Sequence, residues 1–304
     1  MATDGEAKNP GPVLSKQEGS QGSPSWLHLG TANATALTTQ LEAIASLPAH
    51  VLGVQETRLT DALQLKMKQE LKDLGWNVAF GKAMPQWRSQ ESCKPGGVCV
   101  LSVFPIRHVA PCCKDGRWLW DSTRFVHATI DVMGTIWHVL SIYGHTNSEN
   151  QPEQRAKNEE LLTHALRYIA ALGQVPVVLC TDLNTTPEAS AQLQAALNKG
   201  QLWDTGALVA QAQGRVPEPT CFAHETSKGT RRDYIFTNAQ STHLVKGCEV
   251  LQDSGIPTHK PVLATFELPS TAYTGKVLRL PRPIPQHKID PDPGGRFDGI
   301  VDGE

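Results

Sequence analysis

The chain has 304 residues, a formal net charge of -2 and an apolar fraction of 39%. A charge so close to zero argues against a protein that binds nucleic acid through bulk positive charge, so any such binding requires a local basic patch. The seven cysteines show no C-x-x-C spacing, which indicates neither a zinc site nor a disulfide framework.

The amino-terminal segment and the absence of long apolar runs bear on location. No apolar run approaches the roughly 18 residues that span a bilayer, and residues 1–25 lack the charged start and apolar centre of a signal peptide. We therefore expect an intracellular protein without a membrane partner. The sequence leaves nuclear or cytoplasmic location and the oligomeric state open. Residues 1–25 are rich in Gly, Pro, Ser, Lys and Glu, which predicts a disordered segment.

Two strand-loop-helix units are predicted next along the chain. Trp26–Gly30 alternates between apolar and polar residues as a half-buried strand does, and a turn containing Asn33 follows before an apolar-periodic helix. Val51–Val54 is a second short apolar strand, and Thr60 is a suitable N-cap for the helix after it. Glu56 therefore lies in a loop at the end of the second strand.

Strands and a basic stretch are predicted in the middle of the chain. The strands are Trp76–Phe80, Val98–Val103 and a hairpin of Arg124–Asp131 with Thr135–Tyr143. Between Lys82 and Arg124, seven basic residues stand against three acidic ones, with three tryptophans among them: Trp87, Trp118 and Trp120. Basic residues interleaved with aromatic ones suit a surface that binds phosphates and stacks bases. Solvated loops above buried tryptophans are an equal alternative.

The apolar run Val175–Leu179 predicts a buried strand that ends at Asp182. Thr186 is placed as an N-cap, which predicts a helix from Pro187 to Lys199, so Asn184 lies in the loop between strand and helix. A carboxylate and an amide at the carboxyl end of a buried strand stand where open α/β sheets place functional groups. An isolated D-x-N more often serves only the turn.

The other predicted elements complete one folded domain, residues 26–268. A long helix covers residues 152–172, and further strands are predicted at Arg232–Phe236, Leu244–Leu251 and Val262–Leu268. Residues 269–304 contain many Pro and Gly residues and almost no apolar periodicity. We expect a tail or a linker there.

Polar side chains of a few chemical types recur at these predicted strand ends. They are Asn33, Glu56, Tyr143, Asp182, Asn184, Asp233 and His259. Each alone has a structural explanation in a turn, in solvation or in packing. Together, oxygen ligands without Cys or His ligand spacing suit Mg²⁺ or Mn²⁺, which also bind substrate phosphates. The set therefore indicates hydrolysis of a phosphate ester, with Asp182 activating water and His259 stabilising the developing charge.

Short motifs in a fixed order carry a resemblance. They are Asn33, Q-E-T at 55–57, P-G-G-V-C-V-L-S at 95–102, S-I-Y-G-H at 141–145, T-D-L-N-T-T-P at 181–187, R-D-Y-I-F at 232–236 and T-H-K-P-V at 258–262. This set resembles the endonuclease/exonuclease/phosphatase superfamily, in style closest to apurinic/apyrimidinic endonucleases and the endonuclease domains of non-LTR retrotransposons. The resemblance implies an α/β fold, a four-layer sandwich of two packed, mainly antiparallel β-sheets with helices outside.

The resemblance also implies a role for each matching residue. Glu56 would be the principal Mg²⁺ ligand with Asn33 beside it, and Asp182 would be the acid or base. Asn184 and Tyr143 would contact the phosphate, which His259 would polarise while Asp233 orients its ring. We further predict that Arg124 and Arg232 bind the substrate, and that this substrate is DNA.

Two positions depart from the family pattern. The family usually has an aspartate directly before its histidine, where this chain has Thr258, and Asn33 stands in T-A-N-A-T instead of W-N-x-x-G. The leading hypothesis is a Mg²⁺-dependent phosphodiesterase, a DNA endonuclease related to retroelement domains. A degenerate member that only binds nucleic acid or a partner, and a phosphatase or phosphodiesterase acting on soluble phosphate esters, are the alternatives.

Overall fold

A computed structural model describes residues 25–85, 96–224 and 227–268. The predicted amino-terminal segment apart from Ser25 and the predicted tail at residues 269–304 lie outside these ranges. So do three members of the basic stretch, namely Trp87, Arg88 and Lys94.

The described chain forms strands and helices in the following order. The first half contains β1 (Ser25–Asn33), α1 (Leu37–Ala45), β2 (Val51–Gln55), α2 (Asp61–Asp73), β3 (Asn77–Phe80), β4 (Val98–Ser102), β5 (Ile106–His108), α3 (Lys114–Asp121), β6 (Phe125–Val132) and β7 (Thr135–Tyr143). The second half contains α4 (Pro152–Ala171), β8 (Val177–Asp182), a 3-10 turn (Pro187–Ala189), α5 (Ala191–Asn198), β9 (Trp203–Asp204), α6 (Thr205–Ala212), β10 (Asp233–Thr237), α7 (Ala239–Thr242), β11 (Val245–Val250) and β12 (Val262–Leu268).

The strands form two six-stranded sheets with the same internal pattern. The first has the order β11-β12-β1-β2-β4-β3 and the second β5-β6-β7-β8-β10-β9. In each sheet one parallel pair lies at the centre, β1 with β2 and β7 with β8, and the other neighbours are antiparallel. The predicted pair of mainly antiparallel sheets is therefore confirmed.

Three apolar clusters fill the spaces between four layers. One cluster joins the facing sides of the two sheets, where Trp137 meets Phe266 edge to face at 5.4 Å between ring centroids. A second packs α1 and α2 on the first sheet, and a third packs α3, α4 and α5 on the second. The sheets approach closely at Gly53, where any side chain would overlap Cys180. The predicted sandwich with helices outside is confirmed.

Several predicted boundaries differ from the structure for identifiable reasons. The predicted turn at Asn33 is wrong, because β1 continues through that residue to pair with β2. The helix predicted from Pro187 is interrupted after a single 3-10 turn. Thr186 makes no side-chain cap, whereas the Ser190 hydroxyl accepts from Leu193 N at 3.2 Å and starts a new helix. The predicted cap at Thr60 is confirmed by its bond from Leu63 N.

The short elements β5, α3, α6 and α7 have no counterpart in the sequence-based prediction. They contain 3, 8, 8 and 4 residues, too few turns or alternations to produce a periodic signal. Over the described ranges, no helix combines the length and apolar character needed to cross a membrane.

Candidate active site

The candidate site lies where the carboxyl ends of both central parallel pairs meet. Asn33 ends β1 opposite Gln55, the last residue of β2, and Tyr143 ends β7 opposite Asp182, the last residue of β8. Parallel strands end at the same edge of a sheet, and antiparallel neighbours begin there. Asp233 therefore opens β10 directly opposite Asp182.

Asn33 links the two sheets through its side-chain amide. Its Nδ2 donates to Glu56 Oε2 at 3.1 Å and to Asp182 Oδ2 at 2.7 Å, while its Oδ1 accepts from the backbone of Thr35 at 2.7 Å. One nitrogen is thus shared by two carboxylates from different sheets. This arrangement marks a point where positive charge is favoured.

Glu56 is held in an unusual backbone conformation. Its φ is +55°, in the left-handed region that costs a non-glycine residue about 1–3 kcal/mol. The next two amides, of Thr57 and Arg58, donate to the carbonyls of Gly97 and Gly96 at 3.1 and 3.0 Å. Gly97 itself has φ +80°, and a Cβ there would lie 2.6 Å from Thr57 Oγ1, so only glycine fits. The loop before β4 therefore fixes the position of Glu56.

Arg58 pairs with the Glu56 carboxylate. Its Nε donates to Glu56 Oε1 at 3.0 Å, and its Nη2 contacts the same oxygen. The Arg58 side chain is 35% exposed and that of Glu56 is 10% exposed. The carboxylate predicted to bind metal thus has a guanidinium on one oxygen and the Asn33 amide on the other.

Asp182 is fully buried between the two sheets. Its Oδ1 accepts from the backbone of Asn184 at 3.0 Å, and its Oδ2 accepts from Asn33 and lies 3.9 Å from His259 Nδ1. Burial, and then the nearby charge of Asp233, raise the pKa of Asp182 to about 7. A carboxyl group with that pKa exchanges a proton at neutral pH.

His259 and Asp233 form a dyad beside Asp182. His259 Nδ1 lies 3.0 and 3.2 Å from the two oxygens of the buried Asp233 carboxylate. Burial alone lowers the pKa of His259, but the Asp233 carboxylate, the Cys221 thiol and Asp182 raise it to about 12. The ring is therefore a cation that donates from both nitrogens.

Thr220 adds a second donor to the Asp233 oxygen that lies nearest to His259. Its buried hydroxyl accepts from the backbone amides of Arg232 and Asp233, both at 3.0 Å, and donates to Asp233 Oδ2 at 2.7 Å. With both amides donating to the oxygen, the hydroxyl proton is directed at the carboxylate. Thr220 thereby fixes the orientation of Asp233. The other nitrogen of the ring, His259 Nε2, lies 3.6 Å from Cys221 Sγ.

Tyr143 and Arg124 lie near both the Glu56 and the Asp182 carboxylates. Arg124 lies over the Tyr143 ring, with 4.9 Å from Cζ to the ring centroid, and donates to the carbonyl oxygens of Tyr143 and Gly144 at 3.2 and 2.7 Å. Burial, then Glu56 and Asp182, raise the pKa of the Tyr143 hydroxyl above its ordinary value. Tyr143 therefore stays protonated and can donate a hydrogen bond.

The other two predicted substrate contacts differ in placement. Asn184 has φ +51°, and its Nδ2 lies 3.5 Å from Asp182 Oδ2 and 3.3 Å from the Gly144 carbonyl, within the site. Arg232 instead donates to Glu149 Oε2 at 2.8 Å and to Thr230 Oγ1 at 3.2 Å. Its guanidinium is engaged by another protein side chain, and its substrate contact stays a prediction.

The donor set fits a divalent metal ion. Carboxylate oxygens of Glu56 and Asp182 converge on one Asn33 nitrogen, and such oxygens are what Mg²⁺ and Mn²⁺ prefer. Ligand atoms of Asp182, Asp233 and His259 also lie within 4.8 Å of one another, but a protonated His259 ring has no lone pair for a metal, so only the two carboxylates could be ligands there. The Asn33 oxygen faces Thr35, so its role as a ligand stays a prediction.

The predicted basic and aromatic surface is partly engaged in internal contacts. Lys82 Nζ donates to Asp121 at 2.6 Å. Trp118 stacks on His164 with 4.1 Å between centroids, and Trp120 meets His108 edge to face at 5.1 Å. These contacts agree with the alternative of packed tryptophans, and a substrate surface here stays a prediction.

Sequence reasoning missed Arg58, Thr220 and Cys221. Arg58 directly follows Q-E-T, and Thr220 and Cys221 directly follow Pro219 in an irregular loop. The loop reaches the site through isolated bridges of Cys221 with Thr230 and His259. Such single pairings leave no periodic pattern in sequence, so only the proximity of Arg58 to Glu56 offered a usable signal.

Comparison with known proteins gives a family and a fold. A family model described as "Endonuclease/Exonuclease/phosphatase family" matches residues 25–254. No curated protein matched the sequence.

Solved structures resemble the chain over most of its length. An apurinic/apyrimidinic (AP) endonuclease from Archaeoglobus fulgidus has a TM-score of 0.62 at 16% identity, covering 80% of this chain and 100% of its own. A 3' phosphatase, NExo, from Neisseria, bound to a product DNA hairpin, has a TM-score of 0.61 at 19% identity with the same coverage. The endonuclease domain of TRAS1, a telomere-specific non-LTR retrotransposon, scores 0.54 at 14% identity, covering 80% of this chain and 99% of its own. At these identities the likeness concerns the fold.

Proposed function

Because this chain belongs to the endonuclease/exonuclease/phosphatase family, a family of hydrolytic nucleases and phosphatases, we propose that it is a Mg²⁺- or Mn²⁺-dependent phosphodiester hydrolase acting on DNA as an endonuclease. One observation carries the proposal. Asp182 lies between Asn33, which also binds Glu56, and the Asp233–His259 dyad. One scissile phosphate can therefore meet a metal-binding carboxylate, a base and a cationic donor together.

Glu56 is the side chain that would hold the divalent ion, with Asp182 close by across the Asn33 amide. The ion supplies Lewis acidity that offsets the negative charge of the phosphate. The surrounding protein contributes position, because the strained Glu56 backbone is locked by the loop at Gly96 and Gly97.

Asp182 acts as the base. The water oxygen forms the new bond to phosphorus while its proton passes to the Asp182 carboxylate, the bond from phosphorus to the leaving sugar oxygen breaks, and that oxygen takes a proton from solvent. The pKa of about 7 suits this transfer. The side-chain amide of Asn33 and the backbone amide of Asn184 hold the Asp182 carboxylate in place during the step.

His259 and Tyr143 stabilise the phosphate charge. The imidazolium of His259 donates from Nε2 to a phosphate oxygen, while Asp233, itself held by the Thr220 hydroxyl, accepts from Nδ1. The protonated Tyr143 hydroxyl donates to a second oxygen, and Asn184 contributes its amide. These donors are fixed before substrate arrives, so little reorganisation is needed as charge develops.

DNA is proposed as substrate for two reasons. The Neisseria protein of similar fold is bound to a DNA hairpin, and the TRAS1 domain of similar fold is an endonuclease. The motif order resembles that of retroelement endonuclease domains. We propose that the chain belongs with that branch of the family.

Incubation with supercoiled plasmid and Mg²⁺ tests the proposal. Wild type is expected to produce nicked plasmid, chelation of the metal to stop it, and Glu56→Gln and His259→Ala to suppress it. Nicking that survives both substitutions contradicts the assigned site. An inert wild type with a Thr258→Asp variant that nicks indicates a degenerate, binding-only chain. Phosphate release from inositol phosphates without nicking indicates a soluble phosphatase.

A further inference from the structure

Arg58 is placed to compete with a metal ion for Glu56. Two of its nitrogens contact Glu56 Oε1, one of them at 3.0 Å. Its position is set by the chain, because its amide donates to Gly96 O at 3.0 Å and its φ is +55°. Its side chain is 35% exposed, so the guanidinium is accessible to solvent beside Glu56.

Both oxygens of the Glu56 carboxylate are already engaged. Arg58 contacts Oε1, and the Asn33 amide donates to Oε2 at 3.1 Å. A metal ion that binds Glu56 through Oε1 must displace Arg58, because this oxygen already accepts from two guanidinium nitrogens. The bond from Arg58 is charge-assisted and about twice as strong as a neutral hydrogen bond. Its loss therefore costs more free energy than loss of the Asn33 bond, unless Arg58 gains another anion.

The charges around the site are nearly balanced without substrate. The site holds as many cationic groups as carboxylates: Arg58, Arg124 and His259 against Glu56, Asp182 and Asp233. Thr258 contributes no carboxylate where the family usually has one. A divalent cation entering this arrangement alone meets more repulsion than it would if position 258 were an aspartate.

A substrate phosphate removes that obstacle. It brings negative charge to the site, and a planar guanidinium binds phosphate oxygens through parallel hydrogen bonds. We propose that Arg58 exchanges partners, leaving Glu56 for the phosphate as the metal ion takes its place on Glu56. Before the exchange Arg58 pairs with Glu56. After it the metal ion is bound to Glu56, and Arg58 is bound to the phosphate.

The exchange makes metal and phosphate binding cooperative. If phosphate draws Arg58 away, it strengthens metal binding, and by linkage metal strengthens phosphate binding by the same factor. The inference rests on the proposed function, because it takes Glu56 as the metal ligand. It assigns to Arg58 both substrate contact and control of the metal site.

Mn²⁺ titrations of the full chain, followed by the electron paramagnetic resonance signal of free Mn²⁺, test the exchange. Each titration is run with and without inorganic phosphate and corrected by a protein-free titration. We expect phosphate to tighten Mn²⁺ binding to wild type about tenfold. Arg58→Gln is expected to bind Mn²⁺ about tenfold tighter than wild type without phosphate, and to respond to phosphate less than about threefold.

The control variant is Arg215→Gln. Arg215 is 34% exposed and pairs with Glu218 at 3.1 Å, which matches Arg58 in exposure and type of partner but lies on a different loop. It should titrate as wild type does. Arg58→Lys, which keeps the charge, should fall between wild type and Arg58→Gln, and thermal unfolding of each variant verifies folding.

The failures of the two proposals are distinguishable. If wild type and Arg58→Gln bind Mn²⁺ with equal affinity and respond equally to phosphate, the exchange is overturned. If Glu56→Gln binds Mn²⁺ more weakly than wild type in the same experiment, the proposed function still stands. Mn²⁺ binding that is unchanged by Glu56→Gln overturns the metal assignment and the exchange with it.

Discussion

Two regions of the site have equivalent positions in the fold and different chemistry. The Glu56 edge, consisting of Asn33, Glu56 and Arg58, follows the central parallel pair of the first sheet. The Asp182 edge, consisting of Tyr143, Asp182, Asp233 and His259, follows the central parallel pair of the second sheet. Both edges present a carboxylate at the end of a buried strand, and the Asn33 amide joins them.

The carboxylates differ in their surroundings. Glu56 is paired with the partly exposed guanidinium of Arg58, which balances its charge. Asp182 is fully buried, with another carboxylate close by and amide donors around it, so its pKa rises to about 7. In the proposed mechanism, the end of a central strand thus supplies a cation-binding group in one sheet and a proton-accepting group in the other. Burial and the nearest charge, not the residue type, separate the two roles.

The largest expected effect comes from Asp182→Asn. Loss of the base should lower the rate of phosphodiester hydrolysis by roughly a thousandfold, while folding is preserved because the amide has the same shape. Initial rates of plasmid nicking measure the loss. A fall of less than about tenfold would remove Asp182 from the role of base.

The same variant, Asp182→Asn, is also expected to change the pH dependence of thermal stability. A buried carboxyl group whose pKa is raised from 3.8 to about 7 opposes folding increasingly as pH rises through that range. In metal-free buffer, Asp182→Asn should therefore gain thermal stability over wild type between about pH 4 and about pH 8. A difference in Tm that is constant across that range would contradict the raised pKa.

Glu56→Gln should have the next largest effect. Loss of the metal-binding carboxylate is expected to lower activity roughly a hundredfold at fixed Mg²⁺, with partial recovery at higher metal concentration because the lost step is metal binding. Metal-dependence curves of the nicking rate measure it. The comparison between the edges fails if Asp182→Asn is rescued by metal and Glu56→Gln is not.

Thr220→Val should produce a smaller loss, about tenfold, by leaving Asp233 without its hydroxyl donor. Thr220→Ser keeps the donor and should retain activity, and the loss should fall on kcat, since substrate contacts are intact. Thr205→Val is the matched control. The Thr205 hydroxyl is equally buried, but it donates to Ile235 O, at 2.9 Å, and not to the dyad. Equal losses in Thr220→Val and Thr205→Val would reduce Thr220 to a structural role.

Arg232→Gln should have the smallest effect, no more than about threefold on activity. Its guanidinium pairs with Glu149, so its removal costs about 1 kcal/mol of stability and little binding. Chemical denaturation and nicking rates measure the two quantities separately. A loss of activity as large as that of Thr220→Val would restore Arg232 to the substrate contacts.

The sequence predicted the residues whose position follows from regular strands. Asp182 ends an apolar run, and Asp233 opens another, so strand registry alone brings them together. The two packed sheets were predicted only through the family resemblance that the ordered motifs carry. Thr220 and Arg58 were not, because they act from irregular backbone that no periodic pattern marks. The helix at Pro187 was misplaced because a proline fits the first position of a 3-10 turn as well as that of an α-helix.

The pairing of Arg232 with Glu149 shows a second limit. These residues are 83 positions apart, and a charged side chain in a motif offers no information about a distant partner. The orientation of the Asn33 amide could not be predicted for the same reason, because it depends on two carboxylates contributed by separate sheets.

The central claim is that the two edges act on one phosphate, and a double-mutant cycle tests it most directly. Plasmid nicking rates in Mg²⁺ are compared for wild type, Glu56→Gln, Asp182→Asn and the double variant. Groups that serve one step lose activity non-additively, so the double variant should be no more than about tenfold slower than Asp182→Asn. A double variant slowed by the full product of the single losses would contradict a shared step.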